Sequence, residues 1–435
     1  MSWYFPPISV SGSHRWDAMA KALRDLGHDV SIVTTNAAGR LDSDSPWVVR
    51  SGDLQSSAAL RRLLRRPGAS VNEPGDVPAA ADGTAAPPRY LTQGLVPDSW
   101  IVTWLPYVLP VVRRVIRDHQ IEVVVTNGPP LSTHLLGLAL RRGRPAWIAD
   151  FDDGWRYEPL MGPWPTRIQD RIDEIFERRV ATSADAIVGI TEPIARDFRE
   201  RYGCLAFDIP SGWDRADVDA AIDGAAPPQM TQGVVNLVHT GSLSHPERRN
   251  PRGFFKALEL LVETDPSTAD QLRLVLAGEL TTDDHAILDA LTPAVRSMVE
   301  VLGVIAHPEA LALQRAADAL LLISTGPHRQ VVTAKLSEYV LTGRPILAVL
   351  SENEAARIVC ETQTGTVVAP DDVEVIAEVL RQCIDGRLAA SFQPRGLERY
   401  VQPAPAKEFA DVIEAAIASR RMRLTQHRVA PPGEK

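Results

Sequence analysis

The apolar run Ala319-Leu320-Leu321-Leu322-Ile323 leads through Ser324-Thr325-Gly326-Pro327-His328-Arg329-Gln330 into Thr333-Ala334-Lys335-Leu336-Ser337-Glu338-Tyr339-Val340-Leu341-Thr342-Gly343-Arg344-Pro345. Five successive apolar residues bounded by turn signals read as a strand buried on both faces, the habit of a parallel sheet. The segment from Thr333 reads as a short helix stopped by Gly343, and Pro345 to Leu350 as the next buried strand. A helix that follows such a strand begins at the carboxyl edge of the sheet. Its free N–H groups near Val332, Thr333, Ala334 and Lys335 therefore form an anion site with a lysine added.

The same rhythm extends in both directions. Strands are predicted at Leu272 to Ala277, Met298 to Leu302 and Thr366 to Val368, with helices near 251–263, 307–317, 333–342, 351–361 and 371–386. In the first half, strands are predicted at Val30 to Thr34, Glu122 to Thr126, Ala146 to Ala149 and Ala186 to Ile190, with helices near 15–26, 131–142, 166–183 and 192–202. The pattern predicts two doubly wound α/β domains, at 1–213 and 234–400, joined by an Ala- and Pro-rich linker at 214–233. Residues 401–423 read as a helix returning to the first domain, 66–90 as a mobile insertion and 424–435 as a frayed tail. The first strand, Met1 to Phe5 before Pro6-Pro7, is short for a central strand, which raises the expectation of an upstream start codon.

A chain of 435 residues is too long for one ordinary core, in keeping with two domains. Apolar residues at 45% and charged residues at 23% fit a globular chain without a membrane span, and the N-terminus has no signal-peptide pattern. A cytoplasmic location is expected. The three cysteines, Cys204, Cys360 and Cys383, lack the spacing of a disulfide framework or zinc site. A net charge of −9 argues against nucleic acid as the main partner. Trp100, Trp104 and Tyr107 with Arg113, Arg114 and Arg117 suit either an interfacial helix touching a membrane or an aromatic core face with a solvated basic end. The second reading is preferred because Pro106 and Pro110 interrupt the helix.

Lys335-Leu336-Ser337-Glu338-Tyr339 with Gly343-Arg344-Pro345-Ile346-Leu347-Ala348 resembles the donor helix of glycosyltransferase family 4 and its GT-B relatives, and two stretches of the first domain match a bacterial branch of that family. The resemblance covers almost the whole chain outside the insertion and tail. It implies two Rossmann-like domains facing a central cleft. It also implies that Glu338 accepts hydrogen bonds from the ribose of a nucleotide, as the second acid of a Glu-x7-Glu motif. Gln330 stands where the first acid would contact the transferred sugar. His239-Thr240-Gly241-Ser242-Leu243 matches the family's glycine turn, and Arg248 and Arg249 match the basic side chains that neutralise the donor diphosphate. With Lys335 these arginines are the catalytic candidates; Gly12, Gly241, Ser242, Gln330, Val332, Thr333, Ala334 and Glu338 are the donor-binding ones.

In the first domain Gly12 and Ser13 lie in a loop similar to the family's opening loop, without the full dinucleotide fingerprint of a dehydrogenase. Asn127, Asp150, Asp152 and Asp153 lie at strand ends and are the acceptor or sugar candidates; Asp152 replaces an arginine usual in this branch. Ser132 reads as a cap, His134 as an ordinary helix residue, and Asp153 equally as a cap or a contact. Ile209-Pro210-Ser211-Gly212-Trp213-Asp214 resembles the family's hinge segment. The resemblance implies a retaining glycosyltransferase that needs neither metal nor cofactor and acts on a sugar, lipid-linked or small-molecule acceptor. Two alternatives stay open: a non-catalytic GT-B binding protein and a GT-B sugar-nucleotide epimerase.

Overall fold

The computed structural model describes residues 1–8, 11–37, 45–53, 98, 102–140, 143–159, 163–226, 230–245, 248–330 and 332–429. The predicted insertion at 66–90, Trp100 and the last six residues of the predicted tail lie outside them. The chain divides into two compact units: residues 1–212 with 402–435, and residues 213–401.

In the first unit β1 (Ile32–Thr35) pairs in parallel with β2 (Val48–Ser51), and β3 (Val123–Gly128), β4 (Ala146–Phe151), β5 (Ala186–Gly189) and β6 (Ala206–Asp208) form a second parallel ladder. Residues 1–3 run between the two ladders. The Met1 amino group donates to Val125 O at 2.7 Å, Asn127 N to Met1 O at 3.1 Å and Ser2 N to Val33 O at 3.3 Å. The expected strand at Met1 to Phe5 is thus realised as a few bridging hydrogen bonds, because the chain turns away before a ladder can form. In space the order is β2, β1, the N-terminal segment, β3, β4, β5, β6, so the winding reverses between that segment and β3.

Helices α1 (Ser11–Asp25), α2 (Leu105–Asp118), α3 (His134–Ala139), α4 (Arg167–Ser183) and α5 (Glu192–Tyr202) alternate with these strands. Trp16, Met19 and Leu23 of α1 pack with Ile148 and Val188 on one side of the sheet, whereas Trp147 and Phe151 join Phe198 of α5 on the other. The predicted helix at 131–142 is a 3-10 turn, Leu131–Thr133, followed by the short α3. The two prolines do not interrupt α2. Pro106 occupies the first turn, where no N–H is needed, and Pro110 lies inside the helix, whose Val108, Val112 and Val115 face the core. Trp104 is buried, with its indole N–H on Ser51 Oγ at 2.6 Å, so the core reading of this stretch fits the packing.

The second unit opens with α6 (Arg215–Asp223), which lies inside the stretch expected as a linker. Asp214 caps it at Ala216 N, 2.8 Å away, and its Val218 packs against Leu311 and Leu341. Then follow β7 (Val235–Thr240), α7 (Arg252–Thr264), β8 (Leu272–Ala277), α8 (Thr282–Asp289), α9 (Pro293–Ser297), β9 (Val299–Gly303), α10 (His307–Ala316) and β10 (Ala319–Ser324). The remainder is α11 (Ala334–Thr342), β11 (Ile346–Leu350), α12 (Glu354–Thr362), β12 (Gly365–Val368), α13 (Val373–Ile384) and α14 (Arg387–Ser391). The six-stranded parallel sheet has the order β12-β11-β10-β7-β8-β9, which places the reversal of winding between β7 and β10. Ligands of such sheets bind at that point, beyond the carboxyl ends of the strands.

The last helix, α15 (Ala404–Val429), packs Phe409, Val412 and Ala416 with the α1 side of the first unit. It continues through residues 424–429, which the sequence reading had given to a frayed tail. Among the described residues no helix is long and apolar enough to cross a membrane.

Candidate active site

In the second unit β7 and β10 are paired only as far as Val238 and Leu320. Beyond that point the strands part, and Leu321 O must find other donors. It receives His239 Nδ1 at 2.9 Å and the Tyr339 hydroxyl at 3.3 Å, while Thr240 N donates to that hydroxyl at 3.2 Å. His239 and Tyr339 are both fully buried. Two polar side chains thus finish the sheet where its central strands separate.

This arrangement fixes the state of His239. Burial, reinforced by Lys335, lowers its pKa to about 3, so the ring is neutral. Nδ1 faces Leu321 O and Nε2 faces both Ser242 O, at 3.2 Å, and the Lys335 ammonium, which can only donate; a proton on Nδ1 and a lone pair on Nε2 satisfy Leu321 O and the lysine together. Lys335 Nζ lies 3.2 Å from Nε2 and 3.0 Å from Ser242 O, and donates to both. The lysine reaches over Gly241, whose φ of +82° suits glycine and where a Cβ would sit 2.8 Å from Lys335 Cε. Burial, with Arg249 acting in the same sense and Glu338 opposing, lowers the Lys335 pKa to about 7.

Arg249 donates through Nη2 to Ser242 Oγ at 2.7 Å, and the Arg248 carbonyl receives Thr325 N at 2.9 Å. The loop after β7 is thereby tied to the loop after β10. Burial and the neighbouring Arg248 lower the Arg249 pKa, with Asp284 opposing. Arg248 Nε, Arg249 Nε and Thr333 Oγ1 are buried without a hydrogen-bond partner among the described residues. Neither arginine, nor Lys335, forms an ion pair with a described carboxylate. Three cations therefore share one loop cluster beside the N-terminus of α11, and the nearby carboxylates Glu338 and Asp284 act on Lys335 and Arg249 without pairing with them.

Glu338 lies on α11, one turn beyond Lys335. Its Oε2 accepts from Gln314 Nε2 at 3.0 Å and its Oε1 from His307 Nε2 at 3.1 Å; the hydrogen bond to Glu338 raises the His307 pKa. Gln314 is fully buried and also donates to Thr240 Oγ1 at 2.9 Å. The carboxylate is thus oriented by two side chains that sequence reasoning had not marked. Gln330 is only 2% exposed. Thr333 precedes α11 in extended conformation with no capping bond from its side chain, Ala334 begins the helix, and Val332 packs partly buried against the core.

The first unit's reversal point differs. Arg15 of α1 grips Asp150 with both guanidinium nitrogens, at 2.5 and 2.9 Å, and reaches Asp152 at 3.0 Å. Trp16 Nε1 and Asn127 Nδ2 each add a bond to Asp150 at 2.9 Å, and Ser2 donates to Asn127 Oδ1 at 3.2 Å. Asp150 is fully buried with both oxygens occupied, and Ser13 is buried with its hydroxyl on Ile8 O at 2.6 Å. Both side chains are thus held by bonds within the unit, and Asn127, 1% exposed, belongs to the same network. Asp152 remains partly open: Oδ1 takes Arg15 and Asn127, and Oδ2 lies 2.8 Å from where a Cβ on Gly12 would stand. Burial raises its pKa to about 7, with Asp150 and Asp153 adding to the rise and Arg15 opposing it. Asp153 is half-buried.

His134 is fully buried, bonded through Nδ1 to Thr126 Oγ1 at 2.8 Å, and belongs to the core. The cysteines are free: Cys383 is buried, Cys204 half-buried and Cys360 exposed. Among the described residues no group of three or more His, Cys, Asp or Glu side chains could hold a metal ion.

Comparison with known proteins gives this geometry a family. Residues 12–206 match the glycosyl transferase 4-like domain and residues 235–386 match glycosyl transferases group 1. The chain is 30% identical over 232 residues to glycogen synthase of Mycobacterium tuberculosis, an alignment covering 53% of each; the chain spans about half the length of the curated relatives it matches. Sucrose-phosphate synthase from Thermosynechococcus elongatus superposes with TM-score 0.57 at 16% identity over 92% of each chain. The N-terminal domain of Candida albicans trehalose-6-phosphate phosphatase does so with TM-score 0.62 at 14% identity, covering 95% of this chain and 98% of that one. The two domain matches, taken with the paired Rossmann-like units, show that the chain belongs to the GT-B glycosyltransferase superfamily.

Proposed function

We propose that the protein transfers a glycosyl group from a nucleotide diphosphate sugar to an acceptor hydroxyl. The observation that carries this reading is the set of three cations, Arg248, Arg249 and Lys335, gathered at the reversal point between β7 and β10 with no described carboxylate in ion-pair contact with them. A diphosphate supplies the missing charge, and guanidinium forks suit its oxygens. Glu338, held by Gln314 and His307, takes the ribose hydroxyls.

In the transfer, the bond from the anomeric carbon to the phosphate oxygen breaks and its electron pair leaves with the nucleoside diphosphate. The acceptor oxygen bonds to the anomeric carbon, and its proton passes to the leaving phosphate. Arg248, Arg249 and Lys335 stabilise the charge that builds there. Retention of configuration and independence from metal belong to this proposal, as does a sugar, lipid-linked or small-molecule acceptor approaching Asp152 and Asp153.

Purified protein assayed with UDP-, GDP-, ADP- and TDP-sugars for release of nucleoside diphosphate tests the reading. Release with at least one donor is expected, with loss in Lys335→Ala. Binding without release would favour a non-catalytic role, which the amide of Gln330 in place of the first motif acid also suggests. Isomerised or hydrolysed donor without any acceptor would favour an epimerase. Neither binding nor release would sink all three.

A further inference from the structure

We infer that His239 is a positioning residue for Lys335, setting where its ammonium meets the donor diphosphate; the inference rests on reading Lys335 as a diphosphate ligand. A lone histidine inside a buried strand commonly serves only the core. Here the hydrogen bonds assign it more. Nδ1 lies 2.9 Å from Leu321 O, freed where β7 and β10 part, and Nε2 lies 3.2 Å from both Ser242 O and Lys335 Nζ; an ammonium only donates, so the tautomer protonated on Nδ1 is the one that bonds to Leu321 O and to Lys335 together. The donor presented to Nε2 is the Lys335 ammonium, at 3.2 Å.

Lys335 has three N–H bonds. Nε2 and Ser242 O take two of them, and the third is left for the ligand. Because His239 is fully buried and held on its far side by the neighbouring strand, it gives a flexible lysine a fixed second anchor. A neutral imidazole does this without pairing off the charge, as a carboxylate at the same place would. The sheet thus orients the cation and leaves its charge unspent.

Two substitutions separate anchoring from core packing. Asparagine can place an N–H where Nδ1 stands and so keep Leu321 O satisfied, but cannot reach Lys335. Glutamine can place an oxygen near Nε2 and restore the acceptor. The probe is inorganic pyrophosphate, titrated by calorimetry into full-length wild type, His239→Asn, His239→Gln, Lys335→Met and the double variant His239→Asn with Lys335→Met. Thermal unfolding is recorded in parallel.

The inference expects His239→Asn to weaken pyrophosphate binding about tenfold, as one lost hydrogen bond to a charged group would. His239→Gln is expected to recover most of that loss, and His239→Asn to add less than about twofold on the Lys335→Met background, since both act through one contact. Wild-type affinity in His239→Asn, or the same tenfold loss with and without Lys335, would overturn it, as would loss of binding that follows only a fall in thermal stability. Absence of pyrophosphate binding in wild type would instead remove the underlying reading of Lys335.

Discussion

The two units repeat one winding and treat the point of reversal in opposite ways. In the first, Arg15 is enclosed by Asp150, Asp152 and Asn127, so its charge is answered from within the unit. In the second, Arg248, Arg249 and Lys335 collect around Gly241 and Ser242 with no described carboxylate bonded to them. A buried cation surrounded by carboxylates supports the fold. Partly buried cations that depress one another leave charge available to a ligand.

The largest effect should come from breaking the closed network. Arg15→Met leaves Asp150, which has no exposure, and Asp152 without their cation. Urea unfolding should show a loss of about 3–5 kcal/mol, the usual cost of orphaning a buried partner. A loss under about 1 kcal/mol would mean that this network does not carry the first unit.

Lys335→Met should act in the reverse sense. Nucleoside diphosphate affinity is expected to fall by roughly 30-fold, about 2 kcal/mol, while thermal stability holds or rises, because a desolvated ammonium beside Arg249 has been removed. Stability lost in step with affinity would place Lys335 on the structural side of the comparison.

Arg249→Gln sharpens the contrast further. Arg249 helps lower the Lys335 pKa, so its removal should raise it. Donor binding favours charged Lys335; affinity is full below its free pKa of about 7 and declines, at most about tenfold per pH unit, as pH rises through that value. In Arg249→Gln the midpoint of that decline should move to higher pH. An unmoved midpoint in the affinity profile would deny the coupling.

The smallest effect belongs to Asp152→Asn. The raised folded-state pKa, about 7 against 3.8 for a free carboxyl, means that Asp152 costs stability increasingly as pH rises from about 4 to 7 and by a constant amount above that. Asparagine imitates the protonated form, so the variant should gain at least about 1 kcal/mol at pH 8, an advantage that shrinks as pH falls below about 7 and is gone by about pH 3, where the unfolded carboxyl is protonated as well. Equal stability of the two proteins at pH 8 would contradict the assignment.

The fold was legible wherever local pattern and long-range order agree. The helix predicted at 192–202 and the strand predicted at Leu272 to Ala277 appear with those bounds, since caps and continuous burial mark them in the sequence. Helix α6 was hidden in Ala-rich sequence because its stability comes from Val218 packing on distant residues and from the Asp214 cap. The bridging role of residues 1–3 was not legible, since it depends on partners more than 30 positions away, at Val33 and Val125.

At the site, strand–helix order marked the N-terminus of α11 and the family's glycine turn marked Gly241, and the two lie together. His239, Gln314 and His307 were missed because each reads singly as core or surface, and their meaning lies in shared acceptors. For His239 a signal did exist: a polar residue inside a buried strand, two positions before the glycine of the turn. Arg15 reads only as the start of the helix predicted near 15–26; its partner Asp150 is 135 residues away, and nothing local links them. That distance also explains why Asp150 looked available to a ligand.

The central claim, that the cations between β7 and β10 await a diphosphate, is tested most directly by counting protons. Calorimetric titration at pH 8 in buffers of different ionisation enthalpy, with whichever of UDP, GDP and ADP binds most tightly, reports the protons taken up on binding. Lys335, with a pKa of about 7, is mostly neutral there and must be charged to hold the phosphates. Uptake approaching about one proton is predicted for wild type and none for Lys335→Met. Tight binding to wild type without proton uptake would contradict the account.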